Sequence, residues 1–304
     1  MIKKSLKKGL QIMDTFRNNK QDYLPLEVTP IFVDCIGRTG STLLMNLLGT
    51  SEQIRFDKQY PFENRIFSNL LQIVRMFQAD YNPVSPHNFT INKDQFFSTV
   101  AFTKNTLFNK NEFSKKAFKL LFEAAVTNEE IKGRYATLFY AEKTPFSSEI
   151  EKLIGKFNKK HIFLYRDPRA VIVSSNKFNI KRGFLDFWWE EEDDYFSYIQ
   201  KNMHYFKEQL EKALKYKNSN EVFVVKYEDM IEKPSEISSG LNNWLGLTQS
   251  PIDYNKVSQI KYHMTNSNSN DSVEAWKREL DRKTLELING ELGTLLKQCG
   301  YELY

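Results

Sequence analysis

The chain has 304 residues, long enough to bury a full core as one large α/β domain or as a domain carrying an insertion. Its 41% hydrophobic and 14% aromatic content excludes a disordered chain, and 43 basic against 38 acidic residues, a net charge of +5, suits anionic ligands without arguing for nucleic acid. Two cysteines far apart in sequence, Cys35 and Cys299, argue against a disulfide framework and favour a reducing, cytoplasmic setting.

Residues 1–29 carry an early cationic cluster and no apolar run suited to a signal peptide, so a solvated N-terminal arm is expected, with a short membrane-touching amphipathic helix as the alternative. No apolar stretch is long enough to span a bilayer. From residue 30 onward the pattern reads as a single α/β domain. A buried strand, Ile31 to Ile36, leads into a turn from Gly37 to Gly40 and a helix opening at Ser41 or Thr42. The order resembles a Walker A loop, whose glycines let successive N–H groups and a helix N-terminus face a phosphate. The lysine of that pattern is missing, since Gly40 is followed by Ser41, and Cys35 stands where its first glycine belongs. A cation appears earlier instead, in the run Arg38-Thr39-Gly40-Ser41-Thr42. The loop fits a phosphate, though not a nucleoside triphosphate with magnesium; an ordinary strand-to-helix turn with a Ser/Thr cap is the alternative.

Residues 62–132 are mostly helical by pattern, broken by the proline- and asparagine-rich stretch from Asp80 to Phe89, and are expected outside the sheet as an acceptor-pocket insertion. A strand from Thr137 to Ala141 precedes Glu142-Lys143-Thr144-Pro145. The strand Ile162 to Tyr165 runs into Arg166-Asp167-Pro168-Arg169 and a helix through Phe178, with Asp167 fitting the N-cap and Pro168 the first helical position. Arg166 thus sits at a strand's C-terminal end, the crevice edge of an open sheet, with Ser174 about two turns into the following helix. Residues 184–217 read as one long helix or two, with Phe184, Phe187, Trp188, Phe196, Ile199 and Phe206 on an apolar face and the acidic run Glu190 to Asp194 on a solvated one. A last strand, Val222 to Lys226, is followed by a polar, turn-rich loop from Asn266 to Asp271. Strands alternating with helices imply a mainly parallel central sheet covered on both faces.

Arg38-Thr39-Gly40-Ser41-Thr42 after a first strand, with Arg166-Asp167-Pro168-Arg169 and a serine eight residues after its first arginine, resembles the PAPS-dependent sulfotransferase family. Glu142-Lys143-Thr144-Pro145, the Tyr227-Glu228-Asp229 segment, Trp244 to Leu247, Trp276 to Leu280 and Cys299-Gly300-Tyr301 also have counterparts there. The likeness is greater to the tyrosylprotein-type and bacterial members than to the cytosolic small-molecule ones. It implies a P-loop-kinase-like strand order and transfer of a sulfuryl group from PAPS, 3′-phosphoadenosine 5′-phosphosulfate, to a hydroxyl, releasing adenosine 3′,5′-bisphosphate.

The resemblance further implies site residues. Glu63, in Tyr60-Pro61-Phe62-Glu63-Asn64-Arg65, matches the tyrosylprotein-type Glu-x-Arg and would be the general base, with Arg65 toward the acceptor. None of His87, His161, His204 and His263 fits as well as a base. Arg38, with Thr39, Gly40, Ser41 and Thr42, would clamp the 5′-phosphosulfate, and Lys143 would donate to the bridging oxygen. Arg166 and Ser174 would hold the 3′-phosphate. Tyr227 would contact the adenine or the 3′ end, and Ser272 and Lys277 would close over the nucleotide from the late loop, where the cytosolic small-molecule members use an Arg-Lys-Gly segment that this chain lacks. No His/Cys cluster has ligand spacing, so no metal is implied. A kinase of nucleotides or small metabolites and a non-catalytic nucleotide-binding protein are the alternatives; the acceptor, whether small molecule, lipid, glycan or peptide, is open.

Overall fold

A computed structural model describes residues 27–56, 58, 62, 65–78, 88–92, 95–98, 110–126, 136–145, 157–257 and 269–304. Five strands form an all-parallel sheet: β1 (Thr29–Asp34), β2 (Ile54–Arg55), β5 (Phe139–Glu142), β6 (Lys160–Tyr165) and β7 (Val222–Lys226), in the order β2-β5-β1-β6-β7. The chain leaves β1 toward β2 on one side, returns through β5, and then crosses to β6 and β7 on the other. This is the P-loop-kinase-like order expected from the resemblance. It places a topological switch beside β1, where open sheets bind ligands at their C-terminal strand ends.

Being central, β1 is apolar on both faces, as a strand covered by helices on each side must be. Ile31 and Val33 pack with Leu44, Met45, Leu47 and Leu48 of helix α1 (Ser41–Leu48), and with Leu241 and Leu245 of α7 (Pro234–Leu245). On the opposite face Phe32 meets α2 (Ile66–Gln78) through Phe67, their ring centroids 4.5 Å apart. Phe67 in turn stacks on Phe122 of α3 (Lys110–Val126) at 5.4 Å. Burying one such side chain contributes roughly 1.5–3 kcal/mol, so α2 is seated on the sheet by its own first turn. Farther along that face Phe163 packs with α4 (Pro168–Arg182), α5 (Tyr195–Tyr216) and α10 (Arg282–Gln298). The short helices α6 (Tyr227–Glu232), α8 (Ser269–Glu274) and α9 (Trp276–Glu279), with a 3₁₀ turn at Tyr254–Lys256, complete the described elements.

Three local expectations change. The insertion, expected to be helical on either side of a break from Asp80 to Phe89, also holds strands from the end of that break onward: Asn88–Asn92 (β3) and Gln95–Ser98 (β4) pair as an antiparallel hairpin between α2 and α3. Residues 184–194 are not helical either. Gly183, in the left-handed region at φ 74°, closes α4, and a capping box between Asp194 and Ser197 starts α5 anew. In the intervening strap Phe187 and Trp188 both take positive φ, and Phe187 packs against Gly37 rather than along a helix face. The acidic run is partly used, Glu190 and Asp193 both pairing with Lys201. Finally α8 begins at Ser269, inside the stretch expected as loop; residues 266–268 lie outside the described set. Among the described residues no helix is long and apolar enough to cross a membrane.

Candidate active site

The turn after β1 is shaped by two contacts. The Thr39 hydroxyl donates to the Ile36 carbonyl at 2.7 Å, and Gly40, at φ 97°, turns the chain into α1. A side chain is excluded at Gly40 twice over, by that φ and by the Tyr227 ring, which lies 2.3 Å from where a Cβ would stand. Helix α1 has no side-chain cap and no acidic residue in its first turn. Its leading N–H groups and positive dipole end are thereby left for an anion.

Arg166 lies at the end of β6, 6% exposed, and joins three elements. Its Nη1 donates to the Arg38 carbonyl at 2.8 Å, its Nη2 to the Ser272 carbonyl at 2.6 Å, and its guanidinium sits 4.2 Å from the Tyr227 ring centroid. The Tyr227 and Ser272 hydroxyls are 2.7 Å apart. The Nε of Arg166 is buried with no hydrogen-bond partner among the described residues. Across the turn, Arg38 at φ 65° sends its Nε to the Ser174 hydroxyl at 3.2 Å and rests its guanidinium 4.0 Å from the Phe178 ring centroid. Arg38 and Ser174, expected at opposite ends of a ligand, are thus in contact here.

On the other side of the turn, Lys143, just beyond β5, donates to the Thr42 hydroxyl at 3.2 Å, in the first turn of α1. Its ammonium is 5.7 Å from the Phe62 ring centroid. Burial pushes the Cys35 thiol up to about 11, so it stays protonated at neutral pH and is a packing residue of the loop. Of the other residues singled out in the sequence, Glu63 lies outside the described set. Arg65 is exposed, at φ 54°, just ahead of α2. Lys277 stands apart from the cluster, ion-paired with Glu274 at 2.7 Å. His161 is buried in β6 beside Asp34, and the His204 ring lies tilted against Tyr205; neither joins the cluster, while His87 and His263 lie outside the described residues. Among the described residues, no three His, Cys, Asp or Glu side chains gather as a metal site.

The sequence reading missed the scaffold beneath Arg166. Asp167 caps α4 as expected, accepting from the Arg169 amide at 2.9 Å, but it also receives the Arg169 side chain, Nη2 to Oδ2 at 2.7 Å. Arg169 is 1% exposed and lies 3.8 Å from the Trp276 ring centroid. The Asp167 amide donates to Glu228, which also receives the Tyr301 hydroxyl, both at 3.1 Å. Burial, reinforced by the Asp167 charge, raises the Glu228 carboxyl above the usual carboxylate range. The two arginines of Arg-Asp-Pro-Arg look alike in sequence; their division of labour depends on Trp276 and Ser272, more than 100 residues downstream.

Because Asp167 and Arg169 are a buried pair, removing one partner strands the other charge. Arg169→Ala is expected to lower unfolding free energy by about 3–5 kcal/mol in a denaturant titration; a loss below about 1 kcal/mol, the range of an exposed pair, would contradict this structural role.

A search of curated proteins returns no match. Among solved structures, a sulfotransferase domain from the curacin biosynthetic pathway shares 17% identity over 91% of this chain and 99% of its own, with a TM-score of 0.49. Sulfotransferase STF9 from Mycobacterium avium shares 13% over 97% and 82%, at 0.43. Retinol dehydratase in a complex with retinol and PAP shares 16% over 95% and 87%, at 0.45. These overlaps are too loose to carry weight; the decisive finding is a family model described as "Sulfotransferase family", which matches residues 30–251. The chain belongs to the sulfotransferase family and is a sulfotransferase enzyme.

Proposed function

We propose that the enzyme transfers a sulfuryl group from PAPS to a hydroxyl acceptor, with the donor nucleotide lying across the C-terminal ends of β1, β5 and β6. The observation that carries this reading is the pairing of two anion-ready places on either side of one turn. One is the uncapped start of α1 with Lys143 beside it; the other is the Arg166, Ser174 and Arg38 cluster, whose Arg166 Nε has no hydrogen-bond partner among the described residues. A nucleotide bearing phosphate at both ends of its ribose needs two such places, and the donor set fits it.

In this reading the amides of Gly40, Ser41 and Thr42, with Thr39 shaping the turn, take the 5′-phosphosulfate. Lys143 donates to the oxygen bridging phosphate and sulfuryl group as negative charge grows there, where a fixed cation stabilises the transition state more than the ground state. Arg166 and Ser174 take the 3′-phosphate. Arg38 leaves Ser174 to that phosphate and turns its fork to the leaving group, an ionised donor at any working pH. Tyr227 offers its ring to the nucleotide, and Ser272 closes that side; Lys277 would have to leave Glu274 to do so. Glu63 removes the acceptor proton and Arg65 orients the acceptor, which is a small molecule, lipid, glycan or peptide bearing a hydroxyl. No metal is assigned a part. The sheet and its helices act as one domain that already includes Val28 in the core and Thr29 as the first residue of β1, and with both cysteines free we place the enzyme in the cytoplasm.

Glu63→Gln is expected to cut turnover by ~10²–10⁴ while leaving affinity for adenosine 3′,5′-bisphosphate nearly intact. Loss of affinity with unchanged turnover would remove Glu63 from the role of base. For the 3′ site, Arg166→Ala is expected to abolish the preference for adenosine 3′,5′-bisphosphate over adenosine 5′-phosphate in a calorimetric titration. An unchanged preference would place the 3′-phosphate elsewhere.

A further inference from the structure

One buried carboxylate is left unused by this mechanism. Glu142, the last residue of β5, is 1% exposed and adjoins Lys143. Its carboxylate accepts from the Phe67 amide, 3.2 Å from both oxygens, from the Tyr140 hydroxyl at 3.0 Å and from the Thr144 hydroxyl at 2.6 Å. Burial raises its pKa, opposed by these donors in the order Thr144, Phe67, Tyr140. Helix α2 has no acidic residue in its own first turn, so the negative charge at its N-terminus arrives from another strand, 75 residues away.

A helix that only needed capping would be served by a local Ser, Thr, Asp or Asn, without desolvating a carboxylate. What a cap from β5 adds is registration of the helix start against the strand end. The same strand end grips the approach to α2 a second time, through Lys143 near Phe62. Phe62 and Arg65 both hold left-handed φ values, 64° and 54°, unfavourable for residues with a Cβ. Such backbone persists where its surroundings over-determine it, and it clusters at working sites. Phe62 is itself fixed, 6% exposed and edge-on to Phe56 with centroids 5.5 Å apart.

We infer that Glu142 is a positioning residue: by pinning the first turn of α2 to the end of β5, it sets Phe67, Arg65 and Phe62, which flank the proposed base in sequence, in register with Lys143. The inference rests on the reading of Glu63 as base and Lys143 as leaving-group cation. Two neighbouring residues of one strand end then govern the two ends of the reaction, Lys143 the leaving oxygen and Glu142 the approach of the acceptor.

The test compares Glu142→Gln, which keeps reach and an acceptor oxygen for the Phe67 amide, with Glu142→Asp, which keeps the charge but falls short by a methylene. With PAPS as donor and p-nitrophenol as acceptor probe, Glu142→Asp is expected to lower kcat by about 10²-fold, the cost of roughly 1 Å of misplacement, with KM for PAPS and affinity for adenosine 3′,5′-bisphosphate unchanged. Glu142→Gln is expected to recover most of the rate. Hydrogen exchange of the Phe67 amide reads the anchor without any acceptor, and is expected to be faster in the Asp variant only, with amides of α10 unaffected. Wild-type kcat and slow Phe67 exchange in Glu142→Asp, or nucleotide affinity falling in step with kcat, would overturn the inference. Glu63→Gln measured alongside separates the two readings. A silent Glu63→Gln beside a slow Glu142→Asp removes the base and leaves the anchor, whereas the reverse removes the anchor and leaves the base.

Discussion

The site depends first on the way one buried guanidinium is satisfied. Arg166 spends both terminal nitrogens on backbone carbonyls, one in the turn after β1 and one in α8, and lays its face on Tyr227. Taking a charge out of water is costly wherever its donors go unmet, so separating the three elements would strand the two donors that are met. Tyr227 passes the constraint on, because its ring fills the space that a side chain at Gly40 would need. The turn after β1, α8 and the end of β6 are thus one assembly, although they come from distant parts of the chain.

Beneath Arg166 a second arginine does different work. Arg169 locks Asp167 from within and stacks on Trp276, so the Arg-Asp-Pro-Arg segment is held from below while Arg166 faces the crevice. Glu228 joins the Asp167 amide to Tyr301 and so ties the same segment to the chain after α10. On the opposite side of the turn the pattern repeats with carboxylate and cation adjacent in sequence: Glu142 is buried against α2 and Lys143 reaches Thr42. In each case one member of a charged pair of residue types is placed in the scaffold and its neighbour at the crevice.

Much of this framework is written locally. Gly37 to Gly40 and Asp167-Pro168 are short-range signals, tied to a turn and to a helix start, and the turn, the Asp167 cap and Pro168 at the first position of α4 all stand where those signals put them. The strands β1, β5, β6 and β7 were legible as apolar runs within a residue or two at each end. The two-residue β2 is too short to leave a periodic pattern, and the aromatic run after Gly183 has a helix-like spacing that left-handed φ at Phe187 and Trp188 interrupts. Of the residues singled out in the sequence, the fold brings Arg38, Ser174, Arg166, Tyr227 and Ser272 into one contact network and sets Lys143 against Thr42. Lys277, in α9, pairs with Glu274 at the end of α8, because the placement of a surface charge is set by its nearest neighbour as much as by its motif. The roles of Arg169, Glu228 and Glu142 were not legible, since each is defined by a partner that only the fold brings near.

The central claim is that the strand-end crevice is built for two phosphates on one ribose. Thermal stability with adenosine 3′,5′-bisphosphate, ATP and GTP, each with and without magnesium, tests it most directly, since a ligand at ~100 times its Kd adds about 2.7 kcal/mol to folding. The account predicts stabilisation by the bisphosphate that is insensitive to EDTA; stabilisation only by a triphosphate with magnesium would contradict it.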